Sequence, residues 1–327
     1  MVLATASLAH CVDEPAAPVQ LRVIDTDVHH GIRTTAELHP YLSQTYKERL
    51  AEYGFGGGGL YAHNGGRKGY RLDSLDDDSP PGVSVVAVNV EKTRRDLLDA
   101  AGIDIAILTG ASVYGACTMP DLDYGSAICR AFNDFTIEHW LPADSRFRYA
   151  ISIGHQDPDG AAKEIDRIGD HPAIVAVAMP CGAPRPFGQR FYHPIYEACA
   201  RHNLVVALHF NGEGIGVNPP LTAAGYPSYY VEGRQARPSF YQAHLASFIF
   251  EGAFERFPTL KVAMLEGGFA WVPAYQWKMD ADWKGLRHQT PWVKRLPSEY
   301  IREHVRFASQ PMDEPDDPEA IPLLIKW

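Results

Sequence analysis

Leu204-Val-Val-Ala-Leu-His209 is the stretch on which the fold turns: five apolar residues in a row, closed by a histidine. A near-continuous apolar run suits a strand in a sheet covered by crossover helices on one face and by packed side chains on the other. Residues 194–202, just before it, carry a helical pattern, and the same alternation recurs outward in both directions. Strand-like runs lie at 21–27, 103–109, 148–153, 174–179, 204–209, 260–265 and 305–308. Helical patterns fall at 91–101, 126–141, 159–168, 194–202 and 241–257. Strand, crossover, parallel strand, repeated seven times, points to an α/β protein built as a (β/α)8 barrel, rather than to a doubly wound sheet. The sequence runs to Trp327 with no eighth apolar run, which is expected to leave strands one and seven with unpaired edges.

At 327 residues the whole chain fits one such domain. Residues 1–18 read as a tail and 19–327 as the barrel. An insertion at about 31–90 is too long for a plain crossover, so it is expected to cross the barrel mouth. Its Gly-rich stretches at 56–66 and 76–82 match no phosphate-binding loop. A net charge of −10 with no basic run argues against a nucleic-acid partner and for a small-molecule substrate. No apolar stretch is long enough to span a membrane. Five cysteines without a C-x-x-C pair argue against zinc fingers and a disulfide framework, and fit a cytoplasmic protein.

Barrel chemistry sits at the C-terminal ends of the strands, so polar residues there matter most, and three of those ends stand out. Strand one ends Asp25-Thr-Asp27-Val-His29-His30, where alternation points Asp27 and His29 to one side, placed to grip one divalent metal ion. Strand five ends in His209. Strand six ends in Glu266, a carboxylate that is costly to bury unless a metal, a proton or a partner compensates it. His30, His63 and His155 read as surface or loop residues, and His139, His171 and His202 as solvent-facing. Cys117, Cys129, Cys181 and Cys199 read as small buried hydrophobes. Tyr61, Tyr70, Tyr114, Tyr229 and Tyr230 are candidates for an aromatic mouth that suits a ring or conjugated acid.

At these residues the chain resembles the amidohydrolase-2 group of the amidohydrolase superfamily, the relatives of aminocarboxymuconate semialdehyde decarboxylase. The resemblance covers about 21–327. It rests on Val23-Ile-Asp-Thr-Asp-Val-His29, on His193-Pro-Ile-Tyr-Glu-Ala-Cys199 leading into His209, and on Glu251-Gly-Ala-Phe-Glu-Arg-Phe-Pro-Thr-Leu-Lys-Val262 leading into Glu266-Gly-Gly-Phe-Ala-Trp271. Ser309-Gln-Pro-Met-Asp-Glu-Pro315 also resembles a segment found in one branch. The resemblance implies a distorted (β/α)8 barrel with one divalent metal, zinc or manganese, and an enzyme that acts on a small carboxylic acid or cyclic substrate by hydrolysis or non-oxidative decarboxylation. It assigns Asp27, His29 and His209 to the metal and Glu266 to acid/base catalysis, and it admits a homo-oligomer. Asp27 departs from the family's first-strand His, Glu266 stands where many members carry a histidine, and the strand-eight aspartate of the group has no counterpart before Trp327. The last departure sets the alternative: a barrel reduced to ligand binding or scaffolding.

Overall fold

A computed structural model describes residues 22–54, 88–212, 218, 220, 222–225 and 227–326. The seven apolar runs form β1 (Ile24–Val28), β2 (Ile105–Leu108), β3 (Phe147–Ser152), β4 (Ile174–Pro180), β5 (Val205–His209), β6 (Val262–Leu265) and β7 (Val305–Phe307). They make one sheet in chain order, and every neighbouring pair is parallel.

Helices Leu122–His139, Pro158–Ile168, His193–Arg201 and Tyr230–Phe250 supply successive crossovers, and Val272–Leu286 with Pro297–His304 supplies the last. Their starts follow from local chemistry. Asp121 and Asp157 accept hydrogen bonds from the backbone N–H of Tyr124 and Gly160, 3.1 and 3.2 Å, and Pro158 fills a first-turn position that lacks a helical hydrogen bond anyway. The segment before β2 divides into a short α-helix, Val90–Thr93, and a wider-wound turn, Arg94–Asp99.

The sheet curls. Neighbouring strands lie about 4.8 Å apart, so β1 and β5 in a flat sheet would be separated by about 19 Å. Side chains from the ends of these two strands instead meet at 3.0–3.1 Å. The architecture is therefore a parallel seven-stranded half-barrel clad in helices, and among the described residues β1 and β7 each pair on one side only.

The two faces of the sheet are packed differently. On β5, Val206 and Leu208 point out to the helices and are fully buried, worth about 1.5–3 kcal/mol each. On the concave face, Ile107, Val205 and Ala263 are only half-buried. With Ala150, Ala207 and Phe307 they line a cavity of about 520 Å³. This corrects the expectation of a packed inner face: three of the inward residues are alanines, too small to fill the half-barrel. The outer edge of β1 is open too, with Ile24 half-exposed.

The described part of the 31–90 insertion contains a 3-10 helix, Thr35–Tyr41, and an α-helix, Gln44–Tyr53. The tail with Cys11, both Gly-rich stretches, Tyr61, His63 and Tyr70 lie outside the described residues.

Candidate metal centre

The first strand brings Asp27 and His29 to the concave side through an irregularity. The β1–β2 register shifts between Asp25 and Val28, and Asp25 Oδ1 accepts the backbone N–H of Asp27 at 3.1 Å, so Asp25 fixes the turn rather than entering the site. Thr109, just past β2, donates its hydroxyl to Asp27 Oδ1 at 2.8 Å. On β5, His209 shares a face with Val205 and Ala207, which line the cavity.

Glu266 follows β6 with φ +57, a left-handed conformation rare for a residue with a side chain. Such strain persists only where the surroundings enforce it. Here the Tyr241 hydroxyl donates to the Leu265 carbonyl, and Trp271 Nε1 donates to the Gly267 carbonyl at 3.0 Å. These bonds hold the chain on both sides of Glu266.

The side chains converge. His209 Nε2 lies 3.1 Å from Asp27 Oδ2, 3.0 Å from His29 Nε2 and 3.2 Å from Glu266 Oε2, and His29 Nε2 lies 3.3 Å from Asp27 Oδ1. His209 is buried, and the others are mostly so. Around an ion with bonds of about 2.1 Å, neighbouring donors stand about 3.0 Å apart at right angles and about 3.4 Å apart at tetrahedral angles. The observed separations fall in that interval. His209 Nδ1 donates to the carbonyl of Phe210 at 2.7 Å, which leaves Nε2 to carry the lone pair when the ring is neutral. One carboxylate and two imidazoles suit a divalent transition ion of the zinc or manganese kind. Asp27, His29 and His209 form a compact donor group, and Glu266 stands at its edge, touching it at His209.

Charge is strongly coupled here. Burial opposes the charged form of His209, yet the Asp27 and Glu266 carboxylates outweigh it and push its pKa up to about 9. Burial would likewise raise the Asp27 carboxyl, but His209 and His29 hold it far below the usual carboxylate range.

Two neighbours went unread in the sequence. Arg237, buried in the helix Tyr230–Phe250, donates from Nη1 to Glu266 Oε1 at 2.7 Å and lies over the Phe210 ring, 4.0 Å from its centroid. Thr109 is the other. Arg237 lies on a helix 29 residues from Glu266 with no strand-end motif to mark it, and Thr109, which closes the second strand-like run, is 82 residues from Asp27. Tyr114, expected at the mouth, is buried with its ring 5.0 Å from that of His209. Tyr229 is exposed at the start of the helix Tyr230–Phe250.

His30 and His155 lie outside the strands and helices, as a loop reading expects, but the surface reading is corrected. Neither is a surface residue. His30 is fully buried, its Nδ1 accepting from Gly110 N–H and its Nε2 paired with Thr136 at 2.8 Å. His155 is fully buried with Nε2 donating to the Gly182 carbonyl at 3.1 Å. Apolar rings around His30 and the short links between strand ends and helices enclose both, which single-residue polarity does not foretell. His202 is also not simply solvent-facing: it sits half-buried between Asp166 and Asp170. The four described cysteines are buried, and none is in a disulfide among the described residues.

The sequence profile of the amidohydrolase family matches residues 118–327. The chain belongs to the amidohydrolase family. It is 23% identical over 225 residues to a gamma-resorcylate decarboxylase of Polaromonas sp. (strain JS666 / ATCC BAA-500), a match covering 64% of this chain and 63% of that protein. The match thus spans under two thirds of that curated relative. Among solved structures, the fold is similar to 5-carboxyvanillate decarboxylase from Sphingomonas paucimobilis, with TM-score 0.58 and 19% identity, over 94% of this chain and 85% of that one. It is also similar to 5-carboxyvanillate decarboxylase from Novosphingobium aromaticivorans DSM 12444, complexed with manganese and 4-hydroxy-3-methoxy-5-nitrobenzoic acid, with TM-score 0.60 and 19% identity, over 88% and 78% of the two chains. Among the described residues no helix is long and apolar enough to cross a membrane.

Proposed function

We propose that this amidohydrolase-family chain is a metal-dependent carboxy-lyase that removes carbon dioxide, without oxidation, from a small aromatic or conjugated carboxylic acid. The observation that carries the reading is the set of donor separations, 3.0–3.3 Å, among Asp27, His29 and His209. These three residues hold one divalent ion, manganese on the analogy of the complexed relative. When bound, the ion supplies the positive charge that orients and polarises the carboxylate and adjoining oxygen of the substrate.

The chain's own groups do the rest. His209 is aimed by its Nδ1 bond to Phe210, and Asp27 by Thr109 and His29. Glu266 is the acid/base: it delivers a proton to the ring carbon bearing the carboxylate, the carbon–carbon bond then breaks, and its electron pair restores the ring as carbon dioxide leaves. The proton on Glu266 is renewed from water, so one proton is consumed per turnover. Tyr114 offers a buried aromatic wall beside His209. Decarboxylation is preferred over hydrolysis because the curated relative and both solved neighbours named above are decarboxylases.

The test is carbon dioxide release from a panel of hydroxybenzoates by the manganese-loaded protein, run beside lactone and amide hydrolysis. Decarboxylation of any panel member, lost in His209→Ala, is the expected result. Hydrolysis without carbon dioxide release overturns the lyase reading.

A further inference from the structure

The strand-end motifs leave one buried charge of this site unexplained. Arg237 is a guanidinium with 5% exposure, its Cζ 4.0 Å from the centroid of the Phe210 ring and its Nη1 bound to Glu266 Oε1. Among the described residues its Nε is buried without a hydrogen-bond partner, so those residues do not place the side chain there to satisfy all its donors. Arginine stays charged at every accessible pH, and a planar fork stacked on a ring is held in one orientation.

Glu266 faces two ways. Oε1 is taken by Arg237, and Oε2 lies 3.2 Å from the His209 nitrogen that would ligate an ion. That is a ligand-like separation, and a carboxylate so close to a dication gains by swinging onto it. Carboxylate count sets divalent affinity, and each ligand added also fills a coordination position. An acid/base residue that joined the metal would lose its freedom to move protons and would take the place of a substrate oxygen.

We propose that Arg237 is a positioning residue that holds Glu266 out of the coordination sphere of the metal, keeping it available for proton transfer and leaving coordination positions open. The inference rests on Asp27, His29 and His209 binding a divalent ion. The restraint is local and has a rigid base: Arg237 shares its helix with Tyr241, whose hydroxyl holds the end of β6 through the Leu265 carbonyl. The left-handed backbone at Glu266 then leaves the ion pair with Arg237 to decide where the carboxylate rests.

The experiment measures manganese affinity by competition with a chromophoric chelator at fixed pH, in the metal-stripped full chain, with thermal melting of each variant to verify folding. Arg237→Met frees Glu266 and tightens manganese binding tenfold or more, on the order expected when a charged ligand is added. The same substitution in a Glu266→Gln background leaves affinity unchanged, and Arg237→Lys, which keeps the charge, stays near wild type. If Arg237→Met does not fold, Phe210→Leu loosens the guanidinium and shifts affinity in the same direction by a smaller factor. Where the wild type decarboxylates, Arg237→Met lowers kcat and raises KM together. Unchanged or weaker manganese binding in folded Arg237→Met overturns the inference, and so does tightening of equal size in the Glu266→Gln background, which makes the effect one of net charge. The affinity readout needs no turnover: absence of decarboxylation with the expected affinity shift sinks the proposed activity alone. A wild type that takes up no manganese sinks both.

Discussion

Metal binding at this centre should release a proton, and the pH range follows from His209. Flanked by Asp27 and Glu266, its imidazole carries a pKa pushed up to about 9, so at pH 7 without metal it is an imidazolium whose Nε2–H points at Asp27. That proton must leave before Nε2 can ligate. At pH 7 the ring stands about two pH units below that pKa, so competition from the proton costs roughly 3 kcal/mol, about a hundredfold in apparent affinity. Affinity should rise about tenfold per unit from pH 7 and level off above 9, with about one proton released per ion at pH 7. The stability of the metal-free protein runs the other way. A pKa raised on folding contributes stability that is full below the unfolded value near 6.5 and is lost as pH climbs through about 9, on the order of 3 kcal/mol. Isothermal titration with manganese under nitrogen, repeated in buffers of different ionisation enthalpy, counts the protons directly. A flat affinity between pH 7 and 9, or no proton released at pH 7, refutes the reasoning that places His209 in the metal set.

Three other substitutions have definite expected outcomes. Glu266→Gln should keep metal and lower kcat by about 10²–10⁴, the usual range for a lost acid/base, and full activity would remove Glu266 from the mechanism. Thr109→Val keeps the shape but removes the hydroxyl bonded to Asp27 Oδ1, so manganese affinity should fall by about 10–100-fold with little change in melting; unaltered affinity would show that Asp27 needs no such support. Gly182→Ala places a Cβ 2.1 Å from the Gly212 carbonyl carbon, in the strand-end layer beside His209, so it should destabilise by about 1–3 kcal/mol or more in urea unfolding; a wild-type midpoint would mean the two loops separate freely.

How far the sequence could be read depends on where the information lies. Runs such as Leu204–His209 and Ile174–Met179 declare their strands because burial of the outward face by helices demands apolar residues in a row. The same runs could not show that the inner face is underfilled, since alanines at 150, 207 and 263 are ordinary strand residues until the curl of the sheet is known. Asp27, His29, His209 and Glu266 were legible because each is a polar residue closing an apolar strand, and the structure brings all four together. Arg237 was not legible, because its partner lies far off in the chain and a helical arginine carries no mark of the carboxylate it will meet. Thr109 closes the second apolar run, but a hydroxyl there, unlike a histidine or a carboxylate, gives no sign of the Asp27 it supports. His30 and His155 misled in the opposite sense, since a histidine next to a glycine reads as a loop residue although tertiary packing encloses it completely.

The central claim, a single divalent ion held by Asp27, His29 and His209, is tested most directly by crystals grown from the manganese-loaded protein and measured at the manganese absorption edge. The account expects one anomalous peak per chain about 2.1–2.2 Å from Asp27, His29 Nε2 and His209 Nε2, absent in His209→Ala crystals. No peak there, or a peak held by other residues, would contradict it.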